Sequence, residues 1–156
     1  MLRSVSVATV LLSACAGIAS AQAIIPTAAR VGDIPGFAGN GLKGEIWTSS
    51  VSSIAGTRNI MGANPANATF QATNINYLND LIGTPLSTWL GADAASLSGI
   101  SGDTAISALS IRLTGYIAIA NAGTLRFNVE SDDGMELKIG GESVTSYDGD
   151  RGFGGS

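Results

Sequence analysis

Between Leu109 and Val144 the chain alternates apolar residues with small or polar ones at the period expected for β-strands. The alternating segments are residues 111–113, 116–119, 125–129 and 135–139. Each segment predicts a short strand with one apolar face against a core. Turn-forming residues separate the later segments, at positions 121–123, 132–134 and 140–141, where Asn, Asp and Gly supply unusual φ angles. The pattern predicts an antiparallel meander.

A further strand is predicted nearer the N-terminus, over residues 41–47, which end in Ile46 and Trp47. Aromatic side chains of this size are usually buried, so Trp47 is predicted to pack in the core rather than to stack on a sugar. Residues 22–40 are broken by prolines and glycines and predict an extended lead-in. Residues 48–70 are rich in polar residues and predict an irregular connection.

Two short helices are predicted between these strands. The first covers residues 75–82, where Ile75, Leu78 and Ile82 recur at helical spacing, with Thr73 or Asn74 as its N-cap. We expect both helices to cover an open end or face of the sheets.

The second helix has clearer start and stop signals. Thr84 is the predicted N-cap, Pro85 takes the first helical position and Gly91 ends the helix. Leu86, Trp89 and Leu90 lie on one face, and Trp89 is predicted to make a helix-to-sheet contact. Residues 91–104 are small and polar and predict a loop into the main strands.

Residues 1–21 have the pattern of a secretory signal peptide. Arg3 gives a positive start, an apolar stretch follows, and residues 19–21 (Ala-Ser-Ala) form a small-residue cleavage site. Residues 12–15 also resemble a bacterial lipobox, in which Cys15 would be lipidated and anchor the protein. The apolar run continues past Cys15, which favours simple cleavage. Either alternative predicts a secreted or cell-surface protein without a membrane span in the mature chain.

Composition narrows the possible chemistry. The 156 residues are 13% charged and 45% hydrophobic, which is typical of one folded domain. Eight basic and twelve acidic side chains give a net charge of −4, so no basic surface for nucleic acid is expected. The chain contains no histidine, and its single cysteine, Cys15, lies in the leader; histidine-dependent triads, histidine-ligated zinc and thiol catalysis are therefore excluded from the mature domain. Calcium, which prefers oxygen ligands, is the metal that this composition permits.

Several motifs resemble the protective-antigen-type (PA-fourteen) domain family in order and spacing. They are Gly115-Tyr116-Ile117, residues 122–127 (Ala-Gly-Thr-Leu-Arg-Phe), residues 130–134 (Glu-Ser-Asp-Asp-Gly) and residues 137–141 (Leu-Lys-Ile-Gly-Gly). Residues 41–47 resemble the opening strand of the same family. The Ser131-Asp132-Asp133-Gly134 segment matches in full, whereas Leu113, Leu125 and Gly140 stand where the family usually has Trp, Tyr and Asp.

The resemblance implies an all-β fold, an antiparallel β-sandwich with one or two short helices in an insertion. The domain would run over residues 41–156. Several more strands normally follow this point in the family, so we expect the C-terminal strands to be missing here. The chain would then be a fragment of a longer polypeptide or an incomplete domain.

The resemblance also implies a metal site. In the sugar-binding branch of the family, an Asp-Asp pair joined by a cis peptide binds one Ca²⁺, which coordinates vicinal hydroxyls of a glycan. By position, Asp132 and Asp133 would be the metal ligands, and Gly134 would allow the turn after them. Calcium needs about six to eight oxygens, so further ligands are required. Asp148 and Asp150 in the Gly-rich tail are weaker ligand candidates, because acidic residues in such loops are usually only solvated.

An ordinary hairpin turn explains the same residues without a ligand, because Asp favours turns and Gly permits positive φ. Glycosidase catalysis is rejected, since adjacent carboxylates in a tight turn lack the cleft that such chemistry needs. The function expected is that of a non-catalytic extracellular carbohydrate-binding module with calcium-assisted binding of glycans or cell-surface polysaccharide. The alternatives are a structural or protein-interaction module without a ligand site, and an accessory domain of a larger glycoside hydrolase.

Overall fold

The computed structural model describes residues 8–11, 22–29, 41–49, 51–77, 83–119, 121, 123–150 and 154–155. The strands are β1 (Ala8–Leu11), β2 (Gln22–Ile24), β3 (Leu42–Trp47), β4 (Ala68–Ala72), β5 (Ser110–Thr114), β6 (Gly123–Leu125), β7 (Glu130–Ser131), β8 (Met135–Ile139), β9 (Glu142–Tyr147) and β10 (Gly154–Gly155). The α-helices are α1 (Ile54–Ala63) and α2 (Leu86–Leu90), and 3₁₀ turns cover Thr27–Ala29 and Gly91–Ser96. The fold is mostly β, with two helices, as expected. No helix among the described residues is long and apolar enough to cross a membrane.

The chain forms two compact units. Unit 1 combines Met1–Phe37 with Ile117–Ser156, and unit 2 is Ala38–Tyr116. The predicted opening strand and both predicted helices fall in unit 2, whereas the Asp-Asp motif falls in unit 1.

Unit 2 is built on a three-stranded antiparallel sheet in the order β4-β3-β5. The central strand β3 is the one predicted over residues 41–47, and its Ile46 is fully buried between Ala68 of β4 and Ile111 of β5. The β4 strand alternates buried and exposed residues, which places Ala68, Phe70 and Ala72 on one face. The core is therefore a period-two stripe from these strands, closed by Leu86 and Leu90.

Trp47 is only 2% exposed, which confirms its predicted place in the core. Its indole N–H donates to the carbonyl oxygen of Asn64 at 3.0 Å. The Arg112 guanidinium lies 5.0 Å from the centre of its ring and also donates to Glu45, the residue directly across the β3–β5 pair. The buried aromatic thus has a partner for its one polar atom, as buried tryptophans usually do.

The helices differ from the predictions in position. α2 confirms the predicted second helix, and Leu86 and Leu90 are buried while Trp89 is half-buried. Gly91 is the C-cap, with φ 56°. The N-cap is Pro85, one residue after the predicted Thr84. The helix predicted over residues 75–82 is not formed at residues 75–77, and residues 78–82 lie outside the described part. Of the two predicted caps, Thr73 donates its N–H and hydroxyl to Asp93, and the Asn74 side chain accepts from the Asn76 N–H at 3.0 Å.

Two predicted loops contain regular structure. Residues 48–70 include α1 and the start of β4, and residues 91–104 begin with a 3₁₀ turn. None of the residues of α1 is fully buried, although Ile54, Ile60 and Met61 are half-buried and stand at helical spacing. The N-cap is Ser53, whose hydroxyl accepts from the Gly56 N–H at 3.1 Å.

Unit 1 contains three small sheets. β1 pairs antiparallel with β2 and parallel with β6, β7 pairs antiparallel with β10, and β8 pairs antiparallel with β9. The meander prediction is therefore wrong for the described strands: the predicted segments do not pair with one another, and β8 pairs instead with β9, which lies beyond them. Residues 116–119 are not in a strand, and only the first residue of segment 125–129 is. Local turn residues set the bends, but which strands then pair depends on contacts distant in sequence.

The β8–β9 hairpin carries the predicted Gly140-Gly141 turn. Both glycines have positive φ, 61° and 88°, as a two-residue hairpin loop of the I′ type requires. The register shifts between Leu137 and Lys138, so one extra residue of β9 is accommodated as a bulge. The bulge lets two successive residues, Val144 and Thr145, both be buried, and Val144 joins Ile25 in the small core of this unit.

Residues 1–40 also carry strands. β1 falls within the predicted leader, and β2 and a 3₁₀ turn fall within the predicted lead-in. Within the predicted lead-in, residues 22–24 form β2, and residues 30–40 lie outside the described part.

Candidate functional site at the Asp132–Asp133 turn

The two aspartates form the connection between β7 and β8. Asp133 adopts φ 65°, in the left-handed region that Asp and Asn enter more easily than other residues with a side chain. The Ser131 hydroxyl donates to the Asp133 carbonyl oxygen at 2.9 Å and closes the turn. The described residues contain no cis peptide bond, so the Asp132–Asp133 bond is trans, unlike the cis bond that the resemblance implies. Both aspartates are exposed.

Gly134 brings the turn against a second segment of backbone. A Cβ on Gly134 would lie 3.2 Å from the Tyr147 carbonyl oxygen and 3.4 Å from the Gly149 nitrogen. Gly149 has φ 103°, which favours glycine and turns the chain after β9. Gly134 is therefore a point of close approach between two backbone segments. The left-handed position of the turn is taken by Asp133 and not by Gly134, so the turn does not use the positive φ that glycine permits.

The segment after β9 flanks the turn on both sides. Tyr147, which ends β9, lies opposite Met135, the first residue after Gly134. Gly154 of β10 lies opposite Ser131, the residue before Asp132. The connection from Tyr147 to Gly154 thus leaves the sheet on one side of the aspartates and returns on the other. Asp148 and Asp150 are carried on this connection; both are exposed, and residues 151–153 lie outside the described part.

This arrangement supplies the chemistry of a hard-cation site. The donors near the turn are carboxylate oxygens and the carbonyl oxygens of Tyr147 and Gly149, the latter 3.5 Å from the Cβ position of Gly134. Calcium takes both kinds of oxygen, so the donor set fits that ion. Among the described residues no three acidic, cysteine or histidine side chains are grouped closely enough to hold a metal. A calcium ion here would need backbone carbonyls or ligand hydroxyls to complete its coordination.

Sequence reasoning did not identify Ser131 as a turn-closing residue or Tyr147 as a neighbour of the turn. A Ser two residues before Asp133 is a recognisable local signal, because Ser hydroxyls bond to nearby backbone. The place of Tyr147 depends on the bulge in β9. Next to the Gly140-Gly141 turn, Ile139 pairs with Glu142. If β9 had no bulge, the same register would continue along the hairpin and pair Met135 with Ser146.

A second polar cluster, around the buried Asp93, was also missed. Asp93 is 6% exposed, and it accepts from the Thr73 N–H at 3.1 Å and from the Tyr77 hydroxyl at 2.8 Å. The hydrogen bond from the Thr73 hydroxyl, with that from Tyr77, lowers the pKa of Asp93 against the opposing effect of burial. Burial and the neighbouring carboxylate raise the pKa of Tyr77, which also stacks on Trp89 at 4.5 Å between ring centres. These bonds tie residues 73–77 to the 3₁₀ turn after α2, which is a structural role.

Comparison with solved structures identifies the family. The chain matches a PA14 sugar-binding domain from an RTX adhesin at 31% identity and a TM-score of 0.65, over 75% of this chain and 71% of that one. It also matches the PA14 domain of the MpAFP antifreeze protein at 34% identity and a TM-score of 0.63, over 75% of this chain and 64% of that one. No family model and no curated protein matches the chain. The chain belongs to the PA14 domain family, as the sequence motifs predicted.

Proposed function

We propose that this chain is a non-catalytic, extracellular carbohydrate-binding module in which Asp132 and Asp133 hold a calcium ion that contacts glycan hydroxyls. The observation that carries the proposal is the likeness to a sugar-binding PA14 domain, in a chain whose Ser131-Asp132-Asp133-Gly134 segment forms an exposed turn beside backbone carbonyls. The expected partners are glycans or cell-surface polysaccharide.

Each residue has a defined part in this proposal. Asp132 and Asp133 supply carboxylate oxygens, and the Ser131 hydroxyl holds the Asp133 carbonyl so that the turn keeps its shape. Gly134 lets the Tyr147 and Gly149 carbonyls come close enough to add neutral oxygens. Asp148 and Asp150 are candidate outer ligands on the flanking connection. When bound, calcium would offset the repulsion between neighbouring carboxylates and present open positions to vicinal hydroxyls.

Calcium titration followed by isothermal calorimetry tests this proposal. The wild-type chain is expected to bind calcium, to melt at a higher temperature with calcium than with chelator, and to bind glycan only when calcium is present. Asp133→Asn should abolish both kinds of binding while far-UV circular dichroism stays unchanged.

Glu142→Gln is the matched control. Glu142 is an exposed carboxylate at the opposite end of the same hairpin, so this variant loses one negative charge without touching the turn. It should bind calcium and glycan as the wild type does. Equal calcium affinity in Asp133→Asn and wild type would contradict the proposal.

A structural or protein-interaction module without a ligand site is the second candidate. It is favoured by the Ser131–Asp133 hydrogen bond and the trans peptide, which make a satisfactory turn without a metal. In that case the cooperative melt is the same with calcium and with chelator, and no glycan binds.

We also propose that residues 1–21 are a signal peptide and that the module begins near Gly41. Cleavage after Ala21 would remove β1 and leave β2 and β6 without the strand that lies between them. Sequencing the N-terminus of the protein recovered outside the cells tests this: Gln22 as the first residue agrees with the proposal, and an intact Met1 contradicts it. A lipidated Cys15 would indicate anchoring instead.

A further inference from the structure

An exposed aromatic residue stands beside the Asp132–Asp133 turn. Tyr147 is 37% exposed and is the last residue of β9. Its Cα partner across the sheet is Met135, which follows Gly134 directly and is half-buried. Side chains directly opposite each other in an antiparallel pair project from the same face, so Tyr147 and Met135 lie side by side.

Because of the bulge in β9, the residue opposite Met135 is Tyr147. Between the bulge and the turn the register pairs Leu137 with Thr145 and Met135 with Tyr147. Residues two apart share a face, so Tyr147 continues the face on which Thr145 is buried and Leu137 packs on the small core of unit 1. Tyr147 is exposed because this core face ends there, next to the aspartates. Without the bulge, Ser146 would occupy the place.

Sugar rings match such a surface. A pyranose has hydroxyls around its edge and patches of C–H bonds on its faces, so it can place hydroxyls on a cation while one face covers an aromatic ring. Tyrosine suits this use because it gives a large rigid apolar surface with a polar tip. A hydroxyl pair held at the turn would bring the attached ring towards the strand that begins there.

We infer that Tyr147, with Met135 beside it, forms the apolar platform on which a pyranose ring rests when its hydroxyls are bound at the Asp132–Asp133 turn. The inference rests on the proposed function. It gives Tyr147 the role of a specificity-determining residue: it would favour sugars whose C–H face is free when two neighbouring hydroxyls point at the turn. Calcium itself would be held without the tyrosine side chain.

The test compares Tyr147→Phe, Tyr147→Leu and Tyr147→Ala with the wild-type chain. The probes are the methyl glycosides of D-glucose, D-galactose, D-mannose and L-fucose, titrated by calorimetry with saturating calcium. Tyr147→Ala should weaken binding of the best probe about tenfold, since it removes most of the apolar area that the ring covers. Tyr147→Phe should stay within about twofold of wild type, with Tyr147→Leu between them. The atom of Tyr147 that approaches the turn is its backbone carbonyl oxygen, which all three variants keep, so each should keep the wild-type calcium affinity.

The outcomes separate the inference from the proposed function. If the wild type binds calcium and a probe, and Tyr147→Ala binds that probe equally well, the platform is overturned and the calcium-assisted site stands. If the wild type binds neither calcium nor any probe, both proposals fail. If Tyr147→Ala loses calcium together with the probe, the residue supports the turn, and the stacking role is overturned.

Ligand-observed saturation-transfer spectra give an independent measurement. In the wild type and in Tyr147→Phe, the strongest transfer is expected at the C–H protons on one face of the bound pyranose, the face that covers the aromatic ring. Glu142→Gln, at the other end of the hairpin, should give the wild-type pattern. Transfer spread evenly around the sugar ring in the wild type would contradict stacking.

Discussion

The carbonyl oxygen of Tyr147 faces Gly134 so closely that a Cβ on Gly134 would lie only 3.2 Å from it. The same Cβ would lie 3.4 Å from the nitrogen of Gly149, so two backbone atoms of the segment after β9 lie close to Gly134. The backbone after β9 is thereby fixed against the Asp132–Asp133 turn. A side chain at position 134 would have to push these segments apart.

We therefore predict that Gly134→Ala weakens calcium binding more than it weakens folding. The crowded methyl group should cost about 1–2 kcal/mol in the free energy of unfolding, the usual range for mild overpacking. The carbonyls that approach the turn would move outward by a few tenths of an ångström, and metal sites are sensitive to such shifts. Urea unfolding and calcium calorimetry measure the two effects. Gly123→Ala is the control, because a Cβ there meets nothing within 4 Å, and it should bind calcium normally.

Ser131→Ala tests whether the turn is held in shape before the metal arrives. The variant removes the 2.9 Å hydrogen bond to the Asp133 carbonyl and leaves both carboxylates in place. A hydrogen bond of this kind contributes about 0.5–1.5 kcal/mol, so calcium should bind roughly twofold to tenfold more weakly. Calcium calorimetry with Ser131→Ala and Ser131→Thr provides the measurement. Threonine keeps the hydroxyl and should restore affinity; equal loss in both variants would contradict this role.

Unit 2 should depend on Asp93 for its stability. Asp93→Ala would leave the Thr73 N–H and the Tyr77 hydroxyl without their shared buried acceptor. Hydrogen bonds to a charged group contribute about 1.5–3 kcal/mol each, so the free energy of unfolding should fall by at least that amount. Urea unfolding at neutral pH measures the loss. Asp103→Asn, at an exposed aspartate of the same unit, should change stability by less than about 0.5 kcal/mol.

The pH dependence of that stability has a definite sign. The pKa of Asp93 is lowered in the folded chain, chiefly by the hydrogen bond from the Thr73 hydroxyl. The stabilising effect is therefore fully present above the unfolded pKa, about 3.9, and is lost as the pH falls through the folded pKa. We expect the stability gap between wild type and Asp93→Asn to be constant near neutral pH and to shrink below about pH 4. A gap that widens in acid would mean that the carboxylate is not stabilised in its charged form.

Sequence patterns predicted the strands and the family better than they predicted how the strands pair. The alternation around Leu137 identified β8, the segment that ends in Ile46 and Trp47 identified β3, and Gly140-Gly141 identified the hairpin turn. α1 was not predicted, because its few apolar residues, Ile54, Ile60 and Met61, stand among small and polar ones. The helix predicted over residues 75–82 is not formed at residues 75–77, where Thr73 and Tyr77 on either side of Ile75 donate to Asp93, a residue distant in the sequence.

For the candidate site, the sequence identified the turn but not its surroundings. Asp132, Asp133 and Gly134 follow from the motif, and the structure places them at one turn. Tyr147 could not be placed, because the bulge that shifts the register of β9 goes together with the burial of Val144 and Thr145, which the local sequence does not reveal. That burial depends on Ile25, which is distant in sequence. The partner of a residue in a hairpin can be predicted from the turn alone only when no bulge shifts the register.

Two glycines of unit 2 should respond in opposite ways to replacement by alanine. A Cβ on Gly44 would overlap Cε1 of the buried Phe70 ring, so Gly44→Ala must displace a core aromatic. Overpacking of this kind costs about 1–3 kcal/mol or more.

Gly62 lies in α1 with nothing within 4 Å of its Cβ position, and its φ is not in the left-handed region. Gly62→Ala should therefore stabilise the chain by about 0.5–1 kcal/mol, since alanine restricts the unfolded chain and favours the helix. Thermal and urea unfolding of both variants measure the difference. A destabilised Gly62→Ala would show that α1 does not form as described, and an unaffected Gly44→Ala would contradict the packing of Phe70 on β3.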